Sequence, residues 1–102
     1  MGLPCGGHMV SINEEFKAAK AAKAAINTLS TSPKSAVLAT LSKANHAAIL
    51  NLSNGGTLNE ARSSVGIALS SVLHSQPTPE KIDKAKRAIE AWIRELEASP
   101  AA

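Results

Sequence analysis

Few residues in this chain could do chemistry alone, so their spacing decides what they can do. Cys5 and His8 form a Cys-x-x-His pair, which is half of a structural zinc site. Four ligands are needed, and no second pair follows downstream. No metal and no cofactor is therefore expected. His46 and His74 have no carboxylate or thiol at a spacing that would make either one a base or a ligand. Asn54-Gly55-Gly56-Thr57 leads into a helix whose N–H groups can face an anion. No lysine follows at the spacing of a phosphate-binding loop, so the stretch reads as a turn and cap. A nucleophile elbow and a His-Glu-x-x-His helix are also missing. The arginines are Arg62, Arg87 and Arg94, with two of them on the polar side of the last helix. A compact helical enzyme for a dianionic substrate would need several buried ones. The chain is read as non-enzymatic.

Two patterns point to binding instead. Lys17, Lys20, Lys23, Lys34 and Lys43 are the only charges between residues 16 and 59. The first half of the chain is therefore basic, while residues 60–102 carry as many acids as bases, within a total net charge of +3. Such asymmetry favours an anionic partner, and nucleic acid is the alternative reading. Lys17, Lys20 and Lys23 fan over about 120° of helix surface, and no aromatic stacking platform goes with them. The second pattern is the stripe Ile82, Ala85, Ile89, Trp92 and Leu96, with Ile93 adjoining, backed by a densely charged face. Ile82, Ile89, Trp92, Ile93 and Leu96 are the candidate protein-interface residues, since a lone Trp is the kind of side chain that anchors interfaces. Ordinary core packing explains the same stripe.

The segment Thr57 to Val72 resembles a helix-turn-helix of the kind found in bacterial regulators. Val65, Gly66, Ile67 and Val72 fall where that family places its turn and its buried positions. The resemblance implies DNA reading by a recognition helix over 68–75. It departs at Arg62, where close helix contact calls for a small residue. Ser70, Ser71 and His74 are poor readers of base edges. An unbroken apolar seam from Leu58 to Val72 fits one straight helix better.

Four helical segments must position these residues. Helix 1 opens at Ser11 or Asn13, with Glu14 and Glu15 at the positive end of the helix dipole. It runs through alternating Lys and Ala to about Leu29, burying Ile12, Phe16, Ala19, Ala22, Ile26 and Leu29. Ser32-Pro33 starts helix 2, whose seam reads Leu38, Leu41, Asn45, Ala48 and Leu52, with Val37 and Ile49 alongside. Asn54-Gly55-Gly56 ends it. Thr57 and Glu60 form a capping box for helix 3, which has the seam Leu58, Ala61, Val65, Ala68 and Val72 and ends near His74. Thr78-Pro79-Glu80 opens helix 4, where Glu90 and Arg94 are a favourable i,i+4 pair. Short connections make neighbouring helices antiparallel. The fold class is all-α, an up-down-up-down four-helix bundle, with helical hairpins paired in a dimer as the alternative.

Composition agrees. Of 102 residues, 19 are alanine, one is Trp, one is Phe and none is Tyr. That leaves 26 larger apolar side chains, too few aromatics for a typical β-barrel and a thin core for so short a chain. Small residues on helices 1 and 3 (Ser63, Ser64, Gly66, Ser70 and Ser71 on the latter) let helices approach closely and can accept another helix. Residues 1–8 read as a vector-derived leader ahead of Met9, residues 9–98 as one domain, and 99–102 as a frayed tail. No spanning segment or signal peptide is visible, and the body lacks cysteine, so a cytoplasmic location is expected. The functional expectation is a small interaction or assembly module, of the bacterial or phage accessory type, whose partner is another protein or a second copy.

Overall fold

The structure is a computed structural model describing residues 10–30, 34–52 and 56–98. The expected leader (1–8) and tail (99–102), together with the Ser32-Pro33 start, lie outside them. The described residues form four α-helices and no strand: α1 (Ile12–Ile26), α2 (Ser35–Leu50), α3 (Thr57–Leu73) and α4 (Pro79–Ala98). Each helix packs on its neighbours in chain order, and α1 closes the ring against α4. This is the up-down-up-down four-helix bundle. None of its helices is long and apolar enough to cross a membrane.

The local chemistry sets the helix ends. Ser11 caps α1, its hydroxyl accepting from the Glu14 N–H at 3.1 Å. The α1 helix stops at Ile26, earlier than the apolar spacing predicts. The chain then tightens, with Thr28 N–H donating to Ala25 O and Leu29 N–H to Ile26 O. That tightening tucks Leu29 back into the core. Thr78 caps α4 by accepting from the Lys81 N–H at 3.2 Å, and Pro79 occupies the first helical position.

Three local expectations change. Thr57 is not the cap of α3. Gly56 is, in a left-handed conformation (φ 95°) that glycine adopts without strain. The Thr57 hydroxyl instead donates to Glu95 Oε1 on α4 at 2.8 Å. On α4 the ion pair is Asp83–Arg87 at 2.9 Å rather than Glu90–Arg94. Finally, α3 runs unbroken through Val65-Gly66-Ile67. The turn that a helix-turn-helix requires there is absent, because the apolar seam continues across it.

The core joins Ile26 from α1, Leu41 from α2, Val65, Leu69 and Val72 from α3, and Ile89, Trp92 and Leu96 from α4. Between them lie buried alanines, among them Ala19, Ala22, Ala44, Ala48, Ala61, Ala68 and Ala85. The alanines bring the helices together, and the single Trp is the largest fully buried side chain. On α2 the buried face is rotated from the expected seam. Leu41, Ala44, Ala47, Ala48 and Asn51 point inward, Asn45 is only half-buried, and Leu52 and Ile49 are exposed.

Replacing Thr78 by Ala is expected to cost about 1 kcal/mol. Thr57→Ala should cost distinctly less, since its exposed bond to Glu95 does not cap a helix. Urea unfolding followed by far-UV circular dichroism measures both. Equal losses would contradict the cap assignment.

Candidate functional site

At one end of the bundle, all four helices meet on a single carboxylate. Glu15 lies in the first turn of α1, fully buried. Its Oε1 accepts from Asn51 Nδ2 at 2.7 Å and from Arg62 Nη2 at 2.7 Å. Its Oε2 accepts from Arg62 Nε at 2.7 Å and from Trp92 Nε1 at 2.8 Å. Two oxygens receive four donors, which fills the lone-pair capacity of a carboxylate. Arg62 binds side-on through two nitrogens, the geometry in which a guanidinium matches a carboxylate best. Its remaining Nη1 donates to the Asn51 carbonyl at 2.8 Å, satisfying a backbone oxygen left open at the end of α2.

Asn51 extends the network to the chain entering α1. Its Oδ1 accepts from Val10 N–H and its Nδ2 donates to Val10 O, both at 3.0 Å. The amide thus holds Val10 much as a neighbouring strand would. A carboxylate with every lone pair engaged has none left to accept a substrate proton or ligate a metal, so the arrangement fastens rather than reacts. Among the described residues, no group of three His, Cys, Asp or Glu could hold a metal ion.

The sequence reading passed over Glu15, Arg62 and Asn51 as network members, yet each carries a signal. Glu15 falls in the seam 12, 15, 19, 22, 26, 29. Arg62 falls in 58, 62, 65, 69, 72, and Asn51 in 41, 44, 48, 51. A polar residue on an apolar seam in three helices, near one end of the bundle, announces a buried network, because each such group requires a partner.

The expected interface residues are largely internal. Ile89, Trp92 and Leu96 are buried in the bundle's own core, Ile82 is half-buried, and the indole N–H is committed to Glu15. Ile93, also nearly covered, lines a groove between α1 and α4 with Lys20, Lys23 and Glu97. In this bundle the stripe belongs to the core that the four helices share.

The five lysines do not converge. Lys17 and Lys43 flank a groove between α1 and α2, with Glu14 and Thr40. Lys20 and Lys23 line a groove with Ile93 and Glu97 of α4, and the Lys20 ammonium also sits 4.7 Å from the ring centroid of Phe16 on its own helix. Lys34 is exposed where α2 begins. His46 is exposed on α2, and His74 is exposed as the C-cap of α3.

The accessible apolar surface lies elsewhere. Among the described residues, the large hydrophobics left exposed are Ile49 (48%), Leu52 (42%) and Ile67 (66%). All three border a shallow groove of about 270 Å³ between α2 and α3, beside Gly66 and Ser70. Within the same helix pair, Asn45 Nδ2 reaches Ser70 Oγ at 3.5 Å, and the buried Asn45 Oδ1 has no hydrogen-bond donor.

Comparison of the chain with protein-family models, with curated proteins and with solved structures finds no match in any of the three.

Glu15→Ala leaves the Arg62 guanidinium buried without its counter-charge and is expected to cost about 3–5 kcal/mol. Glu15→Leu combined with Arg62→Met should cost less than either single change, because no unpaired charge remains. Urea unfolding read by Trp92 fluorescence tests this. Additive losses would show that the pair is not coupled.

Proposed function

We propose that this protein is a non-enzymatic interaction or assembly module of the cytoplasm, binding a protein partner through the outer face of α2 and α3. One observation carries the reading: the exposed large aliphatic side chains among the described residues gather on that face. Contiguous apolar surface on a small domain costs solubility, and a partner that covers it removes that cost. The buried network supports the same reading. Its carboxylate is saturated, so the bundle end richest in polar chemistry holds helices together.

The alternative, nucleic-acid binding by the basic α1–α2 surface, rests on Lys17 and Lys43, which share a groove. The other three lysines face elsewhere, so few phosphates could be neutralised at once.

Capture from extract of the native host, comparing the wild-type chain with an Ile49→Asp/Ile67→Asp variant of unchanged helicity, tests the proposal. A bound protein, or a second copy, retained by the wild type and lost by the variant is expected. Equal retention by both overturns the reading. For the alternative, anisotropy of labelled duplex and single-stranded oligonucleotides is expected to show no salt-dependent binding. Binding that Lys17→Glu/Lys43→Glu abolishes would replace the protein-partner reading with the nucleic-acid one.

A further inference from the structure

We propose that the groove between α1 and α4 is a second docking surface, and that its occupant is a short acidic peptide segment of a partner protein. The segment carries an aliphatic side chain with carboxylates along one flank. In the ring of four helices the α1–α4 seam lies opposite the α2–α3 seam. This surface is therefore separate from the exposed apolar face, and the inference does not rest on that face.

Residues far apart in the chain meet in this groove. Lys20, Lys23, Ala24 and Asn27 supply the α1 side, and Ile93 and Glu97 the α4 side, around a hollow of about 430 Å³. Ile93 is nearly covered and forms the floor, while Lys20, Lys23, Asn27 and Glu97 are exposed and form the rims. An apolar floor edged by a few polar groups is the general form of a binding site.

The cations of the rim are available. Among the described residues, neither Lys20 nor Lys23 takes part in an ion pair. Lys20 is also held in place, its ammonium 4.7 Å from the Phe16 ring centroid. Less side-chain freedom is then lost when an anion arrives. Residues three apart on a helix are neighbours on its surface, so the two lysines can receive two carboxylates about one helical turn apart.

Glu97 selects the class of anion. It lines the α4 side of the groove, so an occupant must be acidic toward α1 and neutral or basic toward α4. A nucleic-acid backbone is acidic along its whole length and would set phosphate against Glu97. No aromatic side chain lines the groove for a base to stack on. A peptide can place acids on one flank and an aliphatic group over Ile93 and Ala24. From Lys20 to Asn27 the α1 rim runs roughly 10 Å, room for about two helical turns or three extended residues.

Selection of short random peptides displayed on phage, using the full chain as bait, tests the proposal, with anisotropy titrations of the selected peptides. These are expected to pair an aliphatic residue with Asp or Glu on one flank. Lys20→Glu/Lys23→Glu is expected to weaken them about tenfold or more with unchanged circular dichroism, because both side chains are exposed. Glu97→Gln is expected to tighten them about two- to threefold, while Glu60→Gln, exposed on α3, leaves them unchanged. Ile49→Asp/Ile67→Asp is also expected to leave them unchanged, so failure here and failure of the α2–α3 reading are told apart. Selection without acidic enrichment, or affinity indifferent to the lysine pair, overturns the inference. Equal tightening by Glu97→Gln and Glu60→Gln reduces the contact to net charge and overturns it too. An oligonucleotide that displaces the peptides and is itself lost with the lysine pair replaces the peptide by nucleic acid.

Discussion

The bundle is organised around one buried negative charge. Glu15 has no water to solvate it, so it must be met by donors, and the donors come from every other helix: Asn51 at the end of α2, Arg62 on α3 and Trp92 on α4. Burying an ion pair is costly, and its attraction offsets that cost only when geometry is good and the remaining valences are filled. Both conditions hold here. The network also sets register. A slide or rotation of α1, α2 or α3 by one residue would break two or more charge-assisted bonds at once, and one of α4 would break the Trp92 bond, whereas a core of alanines and leucines tolerates such shifts more easily. In an alanine-rich bundle, where side chains differ little in size, this polar knot distinguishes one arrangement from its near neighbours.

The knot accounts for features elsewhere. The rotation of α2 follows from the need to bring Asn51 inward, and the same rotation turns Ile49 and Leu52 outward. Arg62, at the position where a helix-turn-helix wants a small side chain, is long because it must reach across to α1. Trp92 is core rather than interface: its side chain is fully buried and its indole N–H gives Glu15 its fourth donor. The external apolar face on α2 and α3 is thus partly a consequence of internal electrostatics. The same helices that turn their polar seam positions toward Glu15 leave isoleucines facing out.

Much of this was legible in the sequence, and the boundary is instructive. The caps at Ser11 and Thr78, the proline entering α4, the four-helix order and the continuity of α3 all follow from local chemistry, because capping and period-3.6 burial act within a few residues. The network was less legible. Glu15 has a sufficient local explanation at the positive end of the helix dipole, and that explanation hides its seam position. Thr57 shows the reverse case: a good local partner in Glu60 lost to a distant one in Glu95. The lysines looked like one group by spacing, and the helix ring divided four of them between two grooves and left Lys34 at the start of α2.

The sequence alone determined a helical, alanine-rich chain with four amphipathic segments, short connections and little bulk to spare, since composition, periodicity and punctuation are properties of neighbouring residues. Only the tertiary structure decided which polar residues are internal and which apolar ones are external. That choice depends on how each helix is rotated about its axis, and the rotation is set by partners distant in the chain: 47 residues separate Glu15 from Arg62, and 77 separate it from Trp92.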